Sequence, residues 1–354
     1  METIAPMQTV QSVQTNAVLR LDNRLNNTSN IKPISFIPTG TRETSSKHKR
    51  SPFIEANTVA VSLEDLRGDF IPVFAKDNES TISHPEFIEA VHEAIYQIFP
   101  RESLSNIEYR VSHKICGRIP SAVSKPADML EEWEKTQYFE RMAFSIEIPS
   151  IRDTINGNEL VLSIVGVRAY NHTNLYGRKG IETFKLAIGF SNMVCTNLCI
   201  SSRFGLSSEI QIFNLKELES KSLDLFQNYR AKDHLENIRL LPQKSLSESQ
   251  FATLLGRTRL YQYLPKKEKK ELPELLFGDS HLNMVAKDYY NDKRFSNHED
   301  GYLNLWNLYN LFTNANRSSS YIDTFIDRGN NAADFVDGLS LALEGDNAYQ
   351  WFLQ

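Results

Sequence analysis

Between Ser83 and Phe99 the chain carries hydrophobic residues at the spacing of a helix. Ser83 and Glu86 stand in the Ser-x-x-Glu pattern of a capping box, and Pro85 is tolerated in a first helical turn. The apolar positions that follow are Phe87, Ile88, Val91, Ile95, Ile98 and Phe99. This spacing predicts an amphipathic helix that ends at Pro100 and packs its apolar side on a sheet.

Alternating apolar and polar residues in the middle of the chain predict that sheet. Three segments alternate: Ile107 to Ile115, Met142 to Ile148 and Phe184 to Phe190. Leu160 to Val167 is almost continuously apolar, which indicates a central strand, and the Asn156-Gly157 pair before it is typical of a tight turn. Val194, Leu198 and Ile200 predict one more short strand.

Other segments of the chain show helical spacing instead. The acidic stretch around Trp133 is predicted to be helical, and so is the region from Leu215 onward. Ser247 to Gln250 resembles a second capping box, whose helix Gly256 interrupts or ends. The segment from Tyr302 to Phe312 is apolar nearly all round, so its helix should be buried.

The patterns together predict an α+β protein with a central, largely antiparallel sheet covered by helices and a helical C-terminal third. Residues 1–51 are rich in Asn, Gln, Ser and Thr, so we expect a disordered arm there. At 354 residues the chain suits one large or two modest domains. We assign residues 52–230 to an α+β sheet domain and residues 231–354 to a helical region packed on it.

Charge and composition narrow the classes of function. The net charge of -5 argues against a chain that coats nucleic acid, so any contact with DNA must be local. No apolar run reaches the roughly 20 residues needed to cross a bilayer, and the N-terminus lacks the regions of a signal peptide, so we expect a cytoplasmic protein without a membrane partner. Three cysteines do not indicate a disulfide framework.

The sequence contains none of the common phosphate-loop, dinucleotide, zinc-protease or nucleophile-elbow motifs. We therefore predict no catalytic residue and no cofactor, and the sequence does not indicate an enzyme. Cys195 and Cys199, four positions apart, form at most a weak half of a zinc site, which needs four ligands. Buried, unreactive thiols are the favoured interpretation.

One polar segment, Tyr170 to Arg203, is the candidate binding region, because loops held by a rigid sheet often carry binding groups. The residues predicted to contact nucleic acid are Asn171, His172, Arg178, Lys179, Asn192, Asn197 and Arg203, assisted by Lys47, Lys49 and Arg50. Turn formation and solvation explain the same residue types without a ligand. Metal ligands are not predicted.

A second basic cluster comprises Lys266, Lys267, Lys269 and Lys270. Glu268 and Glu271 interrupt it, so a solvated linker is favoured over a phosphate-binding patch. Tyr261 and Tyr263 just before it leave base stacking open.

Several segments resemble known families. The run Phe70 to Glu79, with Ile82 to His84 and Glu86 to Ile88, resembles the family catalogued as domain of unknown function 3871, over Phe53 to the C-terminus. The segments Phe190 to Leu198 and Leu305 to Thr313 are similar to signatures of a wider phage- and plasmid-borne family of unknown function, family 932. These resemblances imply association with mobile genetic elements and supply no catalytic residue.

Three functional hypotheses follow. The first is a mobile-element accessory protein that binds or anneals single-stranded DNA. The order of the predicted strands and helix resembles the β-β-β-α core of single-strand annealing proteins, which is a fold-level analogy only. The alternatives are a non-enzymatic protein-interaction module that binds a host protein and modulates host defence, and a metal-dependent nuclease. Assembly into a homo-oligomer would suit the annealing hypothesis.

Overall fold

The computed structural model describes residues 50–69, 81–170, 180–204, 207–296, 300–345 and 348–354. Most of the arm predicted for residues 1–51 lies outside these ranges, as does the run Phe70 to Glu79. Among the described residues, no helix combines the length and the apolar character needed to cross a membrane. The predicted cytoplasmic location stays a prediction.

The strands β2 to β9 follow one another along the chain and most helices come after them, as expected of an α+β fold, which confirms the predicted fold class. The strands within the described ranges are β1 (Val59–Val61), β2 (Ser105–Val111), β3 (Lys114–Arg118), β4 (Lys135–Phe139), β5 (Arg141–Ile155), β6 (Asn158–Ala169), β7 (Glu182–Asn192), β8 (Leu198–Cys199), β9 (Ser207–Ile212), β10 (Ser245–Ser247) and β11 (Tyr302–Asn304). The helices are α1 (Leu63–Arg67), α2 (His84–Ile98), α3 (Leu215–Gln227), α4 (Ala231–Leu240), α5 (Glu248–Tyr261), α6 (Lys266–Lys269), α7 (Asp279–Asn291), α8 (Leu305–Ser319) and α9 (Phe325–Ala342).

A seven-stranded antiparallel sheet forms the centre of the molecule. Its order is β1-β2-β5-β6-β7, and β8 and β9 both pair with β7. β6 lies between β5 and β7 and is buried from Leu160 to its end, which confirms the central strand predicted from its apolar run. Asn156 and Gly157 both have positive φ, at 49° and 76°, as a tight two-residue hairpin turn requires.

Some predicted elements differ in the structure. The prediction of one continuous strand from Ile107 to Ile115 is wrong. Pairing with β5 stops after Val111, and a separate hairpin of β3 and β4 begins at Lys114. The junction is stabilised by Ser112, whose N–H donates to the carbonyl of Arg141 and whose Oγ accepts from the N–H of Arg141. The stretch around Trp133 forms a short 3-10 turn, Glu132–Glu134.

Helix α2 covers one face of the sheet, as its apolar spacing predicts. Ser83 and Glu86 make the reciprocal hydrogen bonds of the capping box. The ring of Phe87 lies 5.2 Å from that of Phe144 and 4.8 Å from that of Phe184, centroid to centroid, so the helix packs directly on β5 and β7. Aromatic pairs at these separations add to the gain from burial.

The C-terminal third is helical, and its central helix is buried on all sides. Every residue of α8 from Leu305 to Arg317 is buried, as predicted. The second capping box, Ser247 with Gln250, also forms, but α5 continues through Gly256 to Tyr261, so a helix end at Gly256 is wrong. Gly256 faces open space, where its extra backbone freedom does not break the hydrogen-bond ladder.

One hydrophobic core joins the two predicted domains. It contains side chains from α2 and the central strands as well as from α5, α7, α8 and α9. Polar contacts cross the same boundary: Lys185 on β7 pairs with Asp327 on α9, and Tyr309 on α8 donates to the carbonyl of Ile200 at 3.4 Å. The boundary assigned at residue 231 stays a prediction.

Candidate nucleic-acid interface

Four of the ten predicted contact residues lie in the described ranges: Arg50, Asn192, Asn197 and Arg203. The other six, Lys47, Lys49, Asn171, His172, Arg178 and Lys179, lie outside them.

Asn192 and Asn197 face inward. Both side chains are fully buried, and both donate through Nδ2 to Oδ1 of Asn310 on α8, at 3.1 and 3.4 Å. Nδ2 of Asn197 also lies 3.0 Å from the carbonyl of Asn310, whose own Nδ2 donates to the carbonyl of Trp306. The two segments that resemble the wider family therefore meet at one internal asparagine cluster, and neither Asn192 nor Asn197 is presented to solvent.

The turn between β7 and β8 holds these asparagines in place. The carbonyl of Asn192 accepts from the N–H groups of Cys195 and Thr196, and its Oδ1 accepts from the N–H of Val194. Val194 thus belongs to the turn rather than to the predicted short strand. Thr196 has φ of 61°, a left-handed conformation that strains a β-branched residue and that the surrounding hydrogen bonds must maintain.

The two cysteines of this region are buried thiols, as predicted. Burial raises the pKa of Cys195 to about 11 and raises the pKa of Cys199 well above its usual value. Cys195 lies in the turn and Cys199 in β8, so they do not share one strand face. Within the part of the chain that is described, no group of three or more His, Cys, Asp or Glu side chains could hold a metal ion.

Arg50 and Arg203 are both close to carboxylates. Arg50 binds Glu147 with Nη1 2.9 Å from Oε1. The side chain of Arg203 is 57% exposed, but its Nη1 lies 4.0 Å from Oδ2 of Asp337, and its charge also acts on Asp334. These carboxylates offset the positive charge that would attract a phosphate.

A different surface combines exposed basic side chains with an exposed aromatic ring. Helices α5 and α6 and the turn between them carry six basic side chains and two acidic ones from Arg257 to Glu271. We call this the α5–α6 surface; its cations are Arg257, Arg259, Lys266, Lys267, Lys269 and Lys270. Two apolar or aromatic side chains are exposed beside them, Leu260 at 58% and Tyr263 at 75%.

Two tyrosines of this surface have opposite roles. Tyr261 is buried, accepts from the N–H of Leu275 at 3.3 Å, and has Nζ of Lys269 4.6 Å from its ring centre. Tyr263 is exposed, but its hydroxyl donates to Oδ2 of Asp279 at 3.1 Å. This hydrogen bond lowers the pKa of Asp279 and orients an aromatic ring that faces solvent.

Elsewhere many basic side chains are already paired with carboxylates. Examples are Arg67 with Glu64, Arg152 with Glu159, Arg230 with Asp233 and Lys244 with Glu344. Lys266, Lys267 and Lys270 are exposed and form no ion pair with any described residue. Their positive charge is therefore available to a polyanion, although the whole chain is acidic.

The solvated linker favoured for the four lysines on the grounds of Glu268 and Glu271 stays a prediction. Arg257 adds a further cation to this surface, whereas the charge of Arg259 is offset by Asp279, whose Oδ1 lies 3.0 Å from Nε of Arg259. Which tyrosine is exposed depends on the packing beneath α5, and no local pattern distinguishes Tyr261 from Tyr263.

Comparison with known proteins supports one of the two resemblances. No curated protein and no solved structure matches this chain. A family model described as "Domain of unknown function, B. Theta Gene description (DUF3871)" matches residues 39–353. The link to the wider family 932 stays a prediction. Because the matched region covers most of the 354 residues, the chain belongs to the DUF3871 family.

Proposed function

We propose that this protein binds single-stranded nucleic acid through the α5–α6 surface. The observation that carries the proposal is the combination of three lysines that pair with no described carboxylate and the exposed, oriented ring of Tyr263. Lysines attract phosphates along a backbone without reading sequence, and an exposed aromatic ring offers a face on which a base stacks.

A single strand suits this surface better than a duplex. Bases in a duplex are stacked on one another, whereas those of a single strand can turn toward an aromatic side chain. The lysines of α6 follow Tyr263 by only a few residues, so one short stretch of strand could contact both. The acidic balance of the rest of the chain would confine binding to this surface and make it sensitive to salt.

The biological setting that we propose is that of an accessory protein of a mobile genetic element. This part of the proposal is supported by the resemblance of the segments Phe190 to Leu198 and Leu305 to Thr313 to phage- and plasmid-borne proteins. Binding alone would suffice for a protective or annealing role, because neither requires a catalytic residue.

The test compares two triple variants of the full chain. Lys266→Gln, Lys267→Gln and Lys270→Gln together remove three cations of the α5–α6 surface. Lys216→Gln, Lys287→Gln and Lys293→Gln remove the same charge from exposed positions elsewhere. Fluorescence anisotropy with a labelled oligonucleotide at several salt concentrations should show about tenfold weaker binding for the first variant, with a salt slope reduced by about 2.

If the two triple variants lose the same affinity for the oligonucleotide, the proposed surface is contradicted. If the wild type shows no binding at low salt, the proposed function is contradicted. Tyr263→Ala should weaken binding about tenfold while Tyr263→Phe keeps most of the affinity, because the ring and not the hydroxyl stacks on a base. Duplex DNA of the same length should bind more weakly than the single strand.

A protein-interaction module is the second candidate, and the hairpin of β3 and β4 favours it. The connection between these strands exposes Val123, Met129 and Trp133 at 69%, 68% and 65%. Large apolar side chains of this kind are frequent anchors of protein interfaces. This candidate predicts that a partner protein binds in a stoichiometric complex that nuclease treatment does not disrupt. Trp133→Ser should abolish this complex, whereas the triple Lys266, Lys267 and Lys270 variant should keep it. The nuclease alternative stays a prediction.

A further inference from the structure

A cluster of buried polar side chains lies where β6 ends and β7 begins, away from the α5–α6 surface in sequence. Its members are Asp69, His84, Arg168, Tyr170 and Glu182. The last four are each only 1% exposed. Four separate parts of the chain supply them: the turn after α1, the start of α2, the end of β6 with the residue that follows it, and the start of β7.

Arg168 is held rigidly within this cluster. Its guanidinium carbon lies 4.7 Å from the ring centre of Tyr170 and 4.2 Å from that of Phe184. Its Nη2 pairs with Glu182, whose other oxygen accepts from the N–H of Ile82 at 3.2 Å. The Nε and Nη1 atoms of Arg168 are buried and have no hydrogen-bond partner among the described residues. Because aromatic rings contact the guanidinium, an acceptor that satisfies these donors must approach in its plane.

The neighbouring side chains also have unused hydrogen-bonding atoms. Nε2 of His84 lies 2.9 Å from the carbonyl of Phe139, so Nε2 carries the proton and Nδ1 is an acceptor. Oδ2 of Asp69 accepts from the N–H of the same Phe139 at 3.2 Å. Nδ1 of His84, Oδ1 of Asp69 and the hydroxyl of Tyr170 are buried and make no hydrogen bond of normal geometry with any described residue.

The side chains of His84, Tyr170 and Arg168 are in contact, and Asp69 lies near them. The rings of His84 and Tyr170 are 4.4 Å apart, centroid to centroid, and Asp69 is close enough to raise the pKa of Tyr170. Five buried polar atoms of this cluster thus lack a partner within the described ranges, which is costly because each loses its hydrogen bonds to water on folding. Such a cost is typical of a site that is completed by a ligand.

We propose that this cluster binds a phosphate group that carries a proton. Phosphate oxygens would accept from Nε and Nη1 of Arg168 and from the hydroxyl of Tyr170, and the protonated oxygen would donate to Nδ1 of His84 or to Asp69. Hydrogenphosphate carries this mixture of acceptors and a donor at neutral pH, and a phosphate monoester carries it as its monoanion, below its second pKa of about 6. Sulfate has acceptors only at neutral pH, so Asp69 and His84 would discriminate against it.

Burial raises the pKa of Asp69 to about 6, which makes its carboxyl easier to protonate than usual and lowers the cost of an adjacent anion. His84 stays neutral, because burial and the nearby Arg168 lower its pKa to about 3. The pair of Arg168 with Glu182 is neutral overall. The cluster therefore offers fixed donors and acceptors rather than a large excess of positive charge.

The test uses the full chain and titrations of inorganic phosphate, a nucleoside 5′-monophosphate and sulfate, each at the same ionic strength in chloride. Isothermal calorimetry and the thermal unfolding midpoint provide the two measurements. Phosphate should bind at least about tenfold more tightly than sulfate, since one charge-assisted hydrogen bond discriminates by about that factor. Comparison of phosphate with the monophosphate distinguishes a free ion from an esterified ligand.

Two isosteric variants provide the matched comparison. Tyr170→Phe removes one proposed donor, whereas Tyr229→Phe removes the hydroxyl of an equally buried tyrosine that binds His234 instead. The first should weaken phosphate binding about tenfold and the second should leave it unchanged. The proposal is overturned if phosphate stabilises the protein no more than chloride does, if both variants bind alike, or if a crystal soaked in phosphate shows only water at Arg168.

The triple Lys266, Lys267 and Lys270 variant should keep phosphate binding, so this proposal and the proposed function fail independently.

Discussion

At the residue scale, buried asparagines connect the sheet to the C-terminal helices. Asn310 on α8 uses its side chain as both acceptor and donor, toward Asn192 and Asn197 on one side and the carbonyl of Trp306 on the other. Sγ of Cys195 also lies 3.8 Å from its Oδ1. A buried amide with this many partners is costly to replace, because each former partner would keep an unpaired polar atom.

Asn310→Ala should therefore lower the free energy of unfolding by about 2 to 4 kcal/mol. The measurement is urea denaturation followed by circular dichroism. Asn283→Ala, at an exposed position of α7, is the control and should change stability by less than about 0.5 kcal/mol. A loss at Asn310 no larger than that of the control would mean that the asparagine cluster contributes little to stability.

At the scale of single elements, two glycines have opposite constraints. Gly166 lies in the central strand β6, where an added Cβ would overlap the rings of Phe144 and Phe87. Gly256 lies within α5, where an added Cβ would meet nothing within 4 Å. The strand needs its glycine so that α2 can pack closely, whereas the helix does not need one.

We therefore expect Gly166→Ala to destabilise the protein by about 1 to 3 kcal/mol through overpacking, and Gly256→Ala to stabilise it by about 0.5 to 1 kcal/mol through helix propensity. Thermal and chemical unfolding of both variants would measure the two effects. Similar changes in both would contradict the assignment of Gly166 to a packed contact. Nucleic-acid binding by Gly256→Ala should be unchanged, since α5 keeps its conformation.

At the scale of the whole molecule, buried histidines make stability depend on pH. Burial lowers the pKa of His234 to about 4, and the pKa of His84 is lowered to about 3. An unfolded histidine has a pKa of about 6.5. Between these pKa values the unfolded chain binds protons that the folded chain does not. The contribution of these histidines to the free energy of unfolding is therefore complete above pH 6.5 and falls as the pH decreases below it. Asp69, whose pKa is raised to about 6, opposes this trend below that pH.

His234→Gln should reduce the slope of unfolding free energy against pH by about one proton between pH 6 and 4.5. Urea denaturation at several pH values provides the slope. Tyr229→Phe is the control, because it removes the hydroxyl 3.1 Å from Nδ1 of His234 but keeps the titrating imidazole. If the slope of His234→Gln equals that of the wild type, proton uptake by His234 does not contribute to acid sensitivity.

The periodicity of the sequence determined much of the architecture. Helix α2 with its capping box, the β5–β6 hairpin with its Asn156-Gly157 turn, and the buried helix α8 follow from spacing and turn chemistry, because these depend on neighbours along the chain. Strands β1 and β9 were not predicted, because short edge strands take their stability from pairing with a distant strand.

Tertiary structure alone decided which polar residues face water. Asn192 and Arg203 look alike in sequence as polar residues near strand ends, yet Asn192 binds Asn310 in the core and Arg203 lies beside Asp337 at the surface. Tyr261 and Tyr263 likewise differ only in the packing beneath α5. Composition fixes how many charges and hydrogen-bonding groups a chain has, but their pairing depends on contacts between segments that are far apart in sequence, and only the folded chain brings those segments together.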